Sequence, residues 1–150
     1  KMNNDENRNI YGFDSFKGFP EPDKVDLFGK ATRRHYSTSY MYVKEFLYKF
    51  VEDQKKIELV KGYVENTLPC FKEKIAFLHI DVDIYNAYKT SLKELYALVQ
   101  KNGIIAFDEY QSEIKWPGAK KAVDEFLLET GEKLIHSKII DRYYLVKSND

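Results

Sequence analysis

The chain has 150 residues, enough to bury the core of one domain and too few for two. Its 24 basic and 24 acidic residues balance, which excludes the electrostatic footprint of a nucleic-acid-binding protein or a polybasic membrane anchor. The single cysteine permits no internal disulfide, and no apolar run approaches the roughly 20 residues of a membrane span. We therefore predict one soluble, cytoplasmic domain over residues 1–150, with no nucleic-acid or membrane partner.

The first half of the chain predicts a strand, a helix and a second strand. In chain order they are expected at residues 10–13, 37–51 and 57–60. Two prolines, at positions 20 and 22, exclude regular structure after the first strand, and residues 24–36 show no period beyond a helical turn. In the predicted helix, capped by Ser37 or Thr38, apolar residues recur at helical spacing, so one face should be buried.

The second half predicts helices alternating with strands. Strands are expected at 75–80 and 104–107, helices at 86–100 and from Pro117 to the residue before Gly131, and closing strands at 134–140 and 143–146. The nearly unbroken apolar run at 75–80 predicts a strand covered on both faces. Asn102 and Gly103 should end the preceding helix, and Asp141 with Arg142 should form a hairpin turn.

This order of elements predicts an α/β fold. Strands that alternate with helices form a doubly wound, mostly parallel sheet, and the closing pair indicates one antiparallel strand at the carboxyl end. Ligands of such sheets bind beyond the carboxyl ends of the strands.

Acidic residues stand at the ends of three predicted strands, the first of which ends at Asp14. Asp81 and Asp83 follow one buried strand, and Asp108 and Glu109 follow the next. If these strands are neighbours, their carboxylates converge, and several carboxylates so close require a cation. All-oxygen ligands favour Mg²⁺, Ca²⁺ or Mn²⁺ over zinc. The alternative is that each acid caps the following helix at the rim of the sheet.

Two single residues have competing interpretations. Asp14 ends the first strand, where nucleotide-binding folds place an acid on ribose hydroxyls; a local turn with Ser15 explains it equally well. His79 lies inside an apolar strand, which favours a core histidine over a catalytic one.

Five segments, in order, resemble one known family. They read YGFDSFKGFP, KGYVENTLP, HIDVDIY, NGIIAFDEY and WPGAKKAVDEF, at residues 11–20, 61–69, 79–85, 102–110 and 116–126. These segments resemble the FDSFxGxP, KGxFxDTLP, IDxDLY, GGxxxxDDY and WxGaxxAvdeF motifs of the TylF/macrocin O-methyltransferase family.

The resemblance implies an enzyme that uses S-adenosylmethionine and a divalent metal, usually Mg²⁺, to methylate a hydroxyl of a sugar or glycosylated small molecule. It also implies a Rossmann-like methyltransferase sheet. By motif, Asp83 would be the general base, and the metal ligands would be Asp81, Asp108 and Glu109. Asp14 would hold the ribose hydroxyls of the cofactor, beside Ser15, and Tyr63 would lie near the adenine.

The sequence departs from the family pattern at three places. Glu109 stands where the family has aspartate, and its extra methylene moves the carboxylate by about 1.5 Å, so Glu109 is expected to bind through water. Asn66 replaces an acid. The family's opening strand and glycine-rich loop should precede Ile10, and nine polar residues cannot supply them. The chain is therefore expected to be a partial domain whose sheet lacks its first strand, with a gap beside residues 10–13 and 75–80. The alternative is that another chain supplies this strand.

Two other functions stay open on this sequence. Asp81-Val82-Asp83 also resembles the DxD metal site of a nucleotide-sugar glycosyltransferase or the nucleophile strand of a phosphatase-like fold, although neither fold's partner motifs are found. A truncated, non-catalytic methyltransferase domain could instead serve as an interaction module. Its unpaired strand edges would favour a homo-oligomer.

Overall fold

A computed structural model describes residues 8–26, 37–50, 53–112 and 114–148. The strands are β1 (Ile10–Asp14), β2 (Ile57–Lys61), β3 (Ile75–Ile80), β4 (Val99–Phe107), β5 (Ile135–Ser137) and β6 (Arg142–Val146). The helices are α1 (Tyr40–Tyr48), α2 (Val64–Thr67), α3 (Tyr85–Leu95) and α4 (Pro117–Thr130). Most of the predicted loop 24–36 and the last residue of the predicted helix, Val51, lie outside the described residues.

The strands form two separate sheets. β1 pairs in parallel with β2, and the second sheet has the order β3-β4-β6-β5. β3 and β4 are parallel, whereas β6 is antiparallel to both β4 and β5. The predicted α/β fold, with parallel strands and an antiparallel strand at the carboxyl end, is confirmed. No ladder among the described residues joins β1 to β3, so the sheet is interrupted where the gap was expected.

The core lies on one face of the four-stranded sheet. Buried side chains of β4, including Ile105 and Phe107, pack there against α3 and α4, whose side chains Tyr88 and Val123 are completely buried. Burial of these large side chains stabilises the sheet at the strand ends where the acids lie. In the described part of the chain, no helix is both long and apolar enough to cross a bilayer.

Two predictions of buried faces are wrong. Phe77 on β3 is 63% exposed. Its partner on β4, Ile104, and the partner of Ile104 on β6, Val146, are partly exposed as well. Strand β3 is therefore covered on one face rather than both. Helix α1 has no buried residue, and its apolar side chains Met41 and Phe46 are exposed. The apolar residues do lie at helical spacing, but among the described residues the face that they form is at most half-buried.

Several element boundaries also differ from the prediction. Strand β4 begins at Val99, so Asn102 and Gly103 lie inside a strand instead of ending a helix. Asn102 adopts a positive φ of 65°, and its N–H donates to the carbonyl of Lys147 at 2.9 Å. Val99 itself pairs with Ile75 on β3, so the strand extends beyond the apolar run from which it was predicted. The cap of α1 is Ser39, and residues 138–141 make the turn of the closing hairpin.

A buried aspartate fixes the loop after β1 against the start of α3. Asp26 is 2% exposed, and its Oδ1 accepts a hydrogen bond from the N–H of Tyr85 at 3.1 Å. Ile84, which flanks the helix, provides no side-chain cap, so Asp26 caps α3 from 59 residues away. Gly118 provides the room, since a Cβ there would lie 1.8 Å from this oxygen. The loop is thereby held beside the acids that follow β3.

Candidate active site

Three carboxylates meet at the carboxyl ends of β3 and β4. Asp81, Asp83 and Glu109 each place one oxygen within 4.8 Å of the others. The prediction that acids after these two strands converge is confirmed for these three, because β3 and β4 are parallel neighbours, but not for Asp108. The extended geometry does not continue through Asp83, which has a φ of 61°. A turn, closed by the 2.6 Å bond from the Ile84 N–H to the Val82 carbonyl, therefore brings Asp83 towards the other two acids.

Burial raises the pKa of Asp83 and of Glu109. Desolvation, with the charge of Asp81 next, raises the pKa of Asp83 to about 6. Desolvation raises the pKa of Glu109 to about 9, although its hydrogen bond with Tyr88 acts in the opposite direction. Glu109 is only 3% exposed. Carboxylates that repel one another in a desolvated site are stabilised in the charged form by a cation among them.

A buried tyrosine that the sequence analysis missed contacts this cluster. The Tyr88 hydroxyl lies 2.5 Å from Oε2 of Glu109 and 2.9 Å from the carbonyl oxygen of Ile80. Tyr88 is four residues before Leu92, so the helical period alone places it on the buried face. Nothing in the sequence indicated that its hydroxyl would reach Glu109.

Asp108 lies outside the three-carboxylate cluster. Its Oδ1 accepts a hydrogen bond from Nε of Arg142 on β6 at 3.1 Å, and Nε2 of His79 lies 3.6 Å away. The role of Asp108 as a metal ligand stays a prediction, since here its carboxylate is paired with a guanidinium. The prediction of a core histidine is wrong, because the side chain of His79 is 48% exposed.

One pocket joins two of the clustered acids to the residues predicted to bind the cofactor. Asp14, Ser15 and Tyr63 line it together with Asp81 and Asp83. These five residues lie at or just after the carboxyl ends of three different strands, where ligands of such folds bind.

The local turn at Asp14 forms as well. Oδ1 of Asp14 accepts a hydrogen bond from the N–H of Phe16 at 2.6 Å, and the Ser15 hydroxyl donates to the carbonyl of Gly18 at 2.7 Å. Asp14 is nevertheless exposed, so the turn fixes its carboxylate at the edge of the pocket. The two interpretations of this residue are therefore compatible.

Comparison with known proteins identifies the family. The sequence profile described as Macrocin-O-methyltransferase (TylF) matches residues 1–141. The chain belongs to this family. One relative, the demethyldecarbamoylnovobiocin O-methyltransferase of Streptomyces niveus, is 27% identical over 128 aligned residues; the match covers 79% of this chain and 47% of that protein.

Two solved structures of O-methyltransferases share the fold. The O-methyltransferase NovP superimposes with a TM-score of 0.81 at 25% identity, and the calicheamicin methyltransferase CalS11 with 0.79 at 29% identity. Each match covers 95% of this chain and 61% of the other protein. An apo structure of CalS11 is described as that of a TDP-rhamnose 3'-O-methyltransferase. The chain thus spans about half the length of the curated relative and three fifths of these structures.

Proposed function

We propose that the protein transfers a methyl group from S-adenosylmethionine to a hydroxyl of a sugar or glycosylated small molecule, with the help of a divalent cation, Mg²⁺ by preference. The observation that carries this proposal is the pocket shared by Asp14, Ser15 and Tyr63 with Asp81 and Asp83. Family membership supports the methyl transfer. The sugar acceptor is supported by the description of CalS11.

The donor atoms suit a hard divalent cation. Asp81 and Glu109 offer carboxylate oxygens and no nitrogen or sulfur, as Mg²⁺ prefers. Asp108 would complete the set of metal ligands if its side chain rotated away from Arg142 and towards the other acids. A bound Mg²⁺ orients a hydroxyl and lowers its pKa. Asp83, within 4.8 Å of both other acids, would then take the proton of that hydroxyl as general base.

The pocket also suits the cofactor. The carboxylate of Asp14 can accept hydrogen bonds from vicinal hydroxyls, and the ring of Tyr63 supplies an apolar wall for a base. The residues at this end of the pocket would hold the methyl donor at attack distance from the hydroxyl. Such positioning lowers the barrier by up to about 7–11 kcal/mol in favourable cases.

A calorimetric titration with S-adenosylhomocysteine tests the proposal. We expect micromolar binding by the protein expressed from its complete coding sequence, and loss of the Mg²⁺-dependent heat when EDTA is added. Absence of binding, together with a mass that increases with concentration in light scattering, would favour the interaction module instead. Binding of a UDP-sugar without S-adenosylhomocysteine would favour the glycosyltransferase, for which the family match offers no support.

Cation binding should release a proton and tighten as the pH rises. The pKa of Glu109 is raised to about 9, so at pH 7 its carboxyl holds a proton that a cation must displace. Between about pH 6 and 9 the logarithm of the Mn²⁺ association constant should therefore rise by about one per pH unit. Calorimetry in two buffers of different ionisation enthalpy measures the released proton. The Glu109→Gln variant is the control and should release none; an affinity of the wild type that does not change with pH would contradict the expectation.

A further inference from the structure

We propose that Tyr88 is a positioning residue for the metal site: its hydroxyl binds one oxygen of Glu109 and thereby directs the other oxygen towards Asp81 and Asp83. This inference rests on the proposed function, because it needs a divalent cation among these acids. Tyr88 itself would touch neither the cation nor the acceptor.

Tyr88 is fixed from three sides. Its side chain is completely buried in the core, and its N–H donates to the carbonyl of Ile84, directly after Asp83, at 3.0 Å. Its hydroxyl lies 2.9 Å from the carbonyl oxygen of Ile80, directly before Asp81. Tyr88 therefore contacts the backbone on both sides of the segment that carries the two aspartates, with its own N–H at Ile84 and with its hydroxyl at Ile80.

The same hydroxyl fixes the third acid. It lies 2.5 Å from Oε2 of Glu109 and accepts from the Glu109 N–H at 3.4 Å. Oε2 is therefore engaged by the phenol, which leaves Oε1 as the atom for a cation. Single-oxygen ligation suits the octahedral geometry that Mg²⁺ demands.

The contact also accounts for a glutamate where the family has aspartate. A free glutamate has one more rotatable bond than aspartate, and ordering it around a cation costs conformational entropy. With Oε2 held by Tyr88, that ordering is complete before the cation binds. The extra methylene lets the Glu109 carboxylate reach the Tyr88 hydroxyl. Glu109 would then bind the cation directly, without a bridging water.

The test compares Mn²⁺ affinity in two Tyr→Phe variants by electron paramagnetic resonance. Tyr88→Phe removes the hydroxyl, and Tyr96→Phe is the matched control, because the Tyr96 hydroxyl likewise donates to a buried glutamate, Glu132, at 2.7 Å. We expect Tyr88→Phe to raise the Mn²⁺ dissociation constant about tenfold or more, as removal of groups that orient ligands does. Tyr96→Phe should leave it unchanged, even where both variants lower the melting temperature equally.

Two further variants separate positioning from a structural role. In a Glu109→Gln background, Tyr88→Phe should cause no additional loss of Mn²⁺ affinity; an equal loss in both backgrounds would overturn the proposal. Glu109→Asp keeps the charge but shortens the reach to Tyr88, so it should also weaken Mn²⁺ binding. Binding as tight as that of the wild type in Glu109→Asp or in Tyr88→Phe would overturn it. If the wild type binds no Mn²⁺, the metal-dependent function is overturned as well. If the wild type binds Mn²⁺, and Asp81→Asn weakens that binding but Tyr88→Phe does not, only the role of Tyr88 is overturned.

Discussion

Asp83→Asn is expected to lower the rate of methyl transfer about 10²- to 10⁴-fold, the range that a positioned general base contributes. The variant keeps the size of the side chain, and asparagine tolerates the positive φ of 61° at this position. What it loses is the ability to take the proton of the acceptor hydroxyl. The rate is measured as S-adenosylhomocysteine formed from S-adenosylmethionine with a panel of sugar nucleotides and glycosides.

Mn²⁺ affinity decides whether Asp83 acts as base or ligand. Asp81→Asn should weaken Mn²⁺ binding first, whereas Asp83→Asn should leave it nearly intact. Asp141→Asn is a matched control, because Asp141 also has a positive φ, of 48°, but lies in the exposed turn between β5 and β6. Nearly full activity in Asp83→Asn would rule out the base. A loss of Mn²⁺ affinity equal to that of Asp81→Asn would instead make Asp83 a ligand, which its place in the cluster permits.

The positions of the acids at the strand ends could be predicted because a few general rules govern how parallel strands are arranged. A short apolar run followed by acids predicts a buried strand with its carboxyl end at the rim, and neighbouring strands then bring Asp81 and Glu109 together. Gly131 ended the predicted α4, and the structure places it there with a φ of 71°. These features depend on local sequence and on the chirality of the chain, and both can be inferred from the sequence alone.

Tertiary contacts could not be predicted in the same way. Periodicity shows that a helix such as α1 has an apolar face, but it does not show what covers that face. Strand β4 begins at Val99, which pairs with Ile75 on β3, and Asn102 and Gly103 bond to the chain at Lys147, more than 40 residues further on. Tyr88 and Arg142 engage two of the predicted metal ligands. Neither contact follows from any spacing in the sequence, because each joins side chains of different elements.

Asp14→Asn should weaken S-adenosylhomocysteine binding about tenfold or more, since a hydrogen bond to a charged group contributes about 1.5–3 kcal/mol. An asparagine keeps one oxygen that can accept the 2.6 Å hydrogen bond from the N–H of Phe16, so the turn is retained. It replaces the other oxygen with a donor and removes the charge that would hold the ribose hydroxyls. Calorimetry measures the dissociation constant.

A second aspartate in the chain provides the control for Asp14. Asp53 makes the same local contact, with its Oδ1 accepting from the N–H of Lys55 two residues on at 3.2 Å, and it does not line the pocket. Asp53→Asn should therefore leave S-adenosylhomocysteine affinity unchanged. Mn²⁺ affinity should be unchanged in both variants, because neither residue belongs to the carboxylate cluster. If Asp14→Asn binds S-adenosylhomocysteine as the wild type does, the carboxylate serves only the turn, and the ribose must be held by other residues of the pocket.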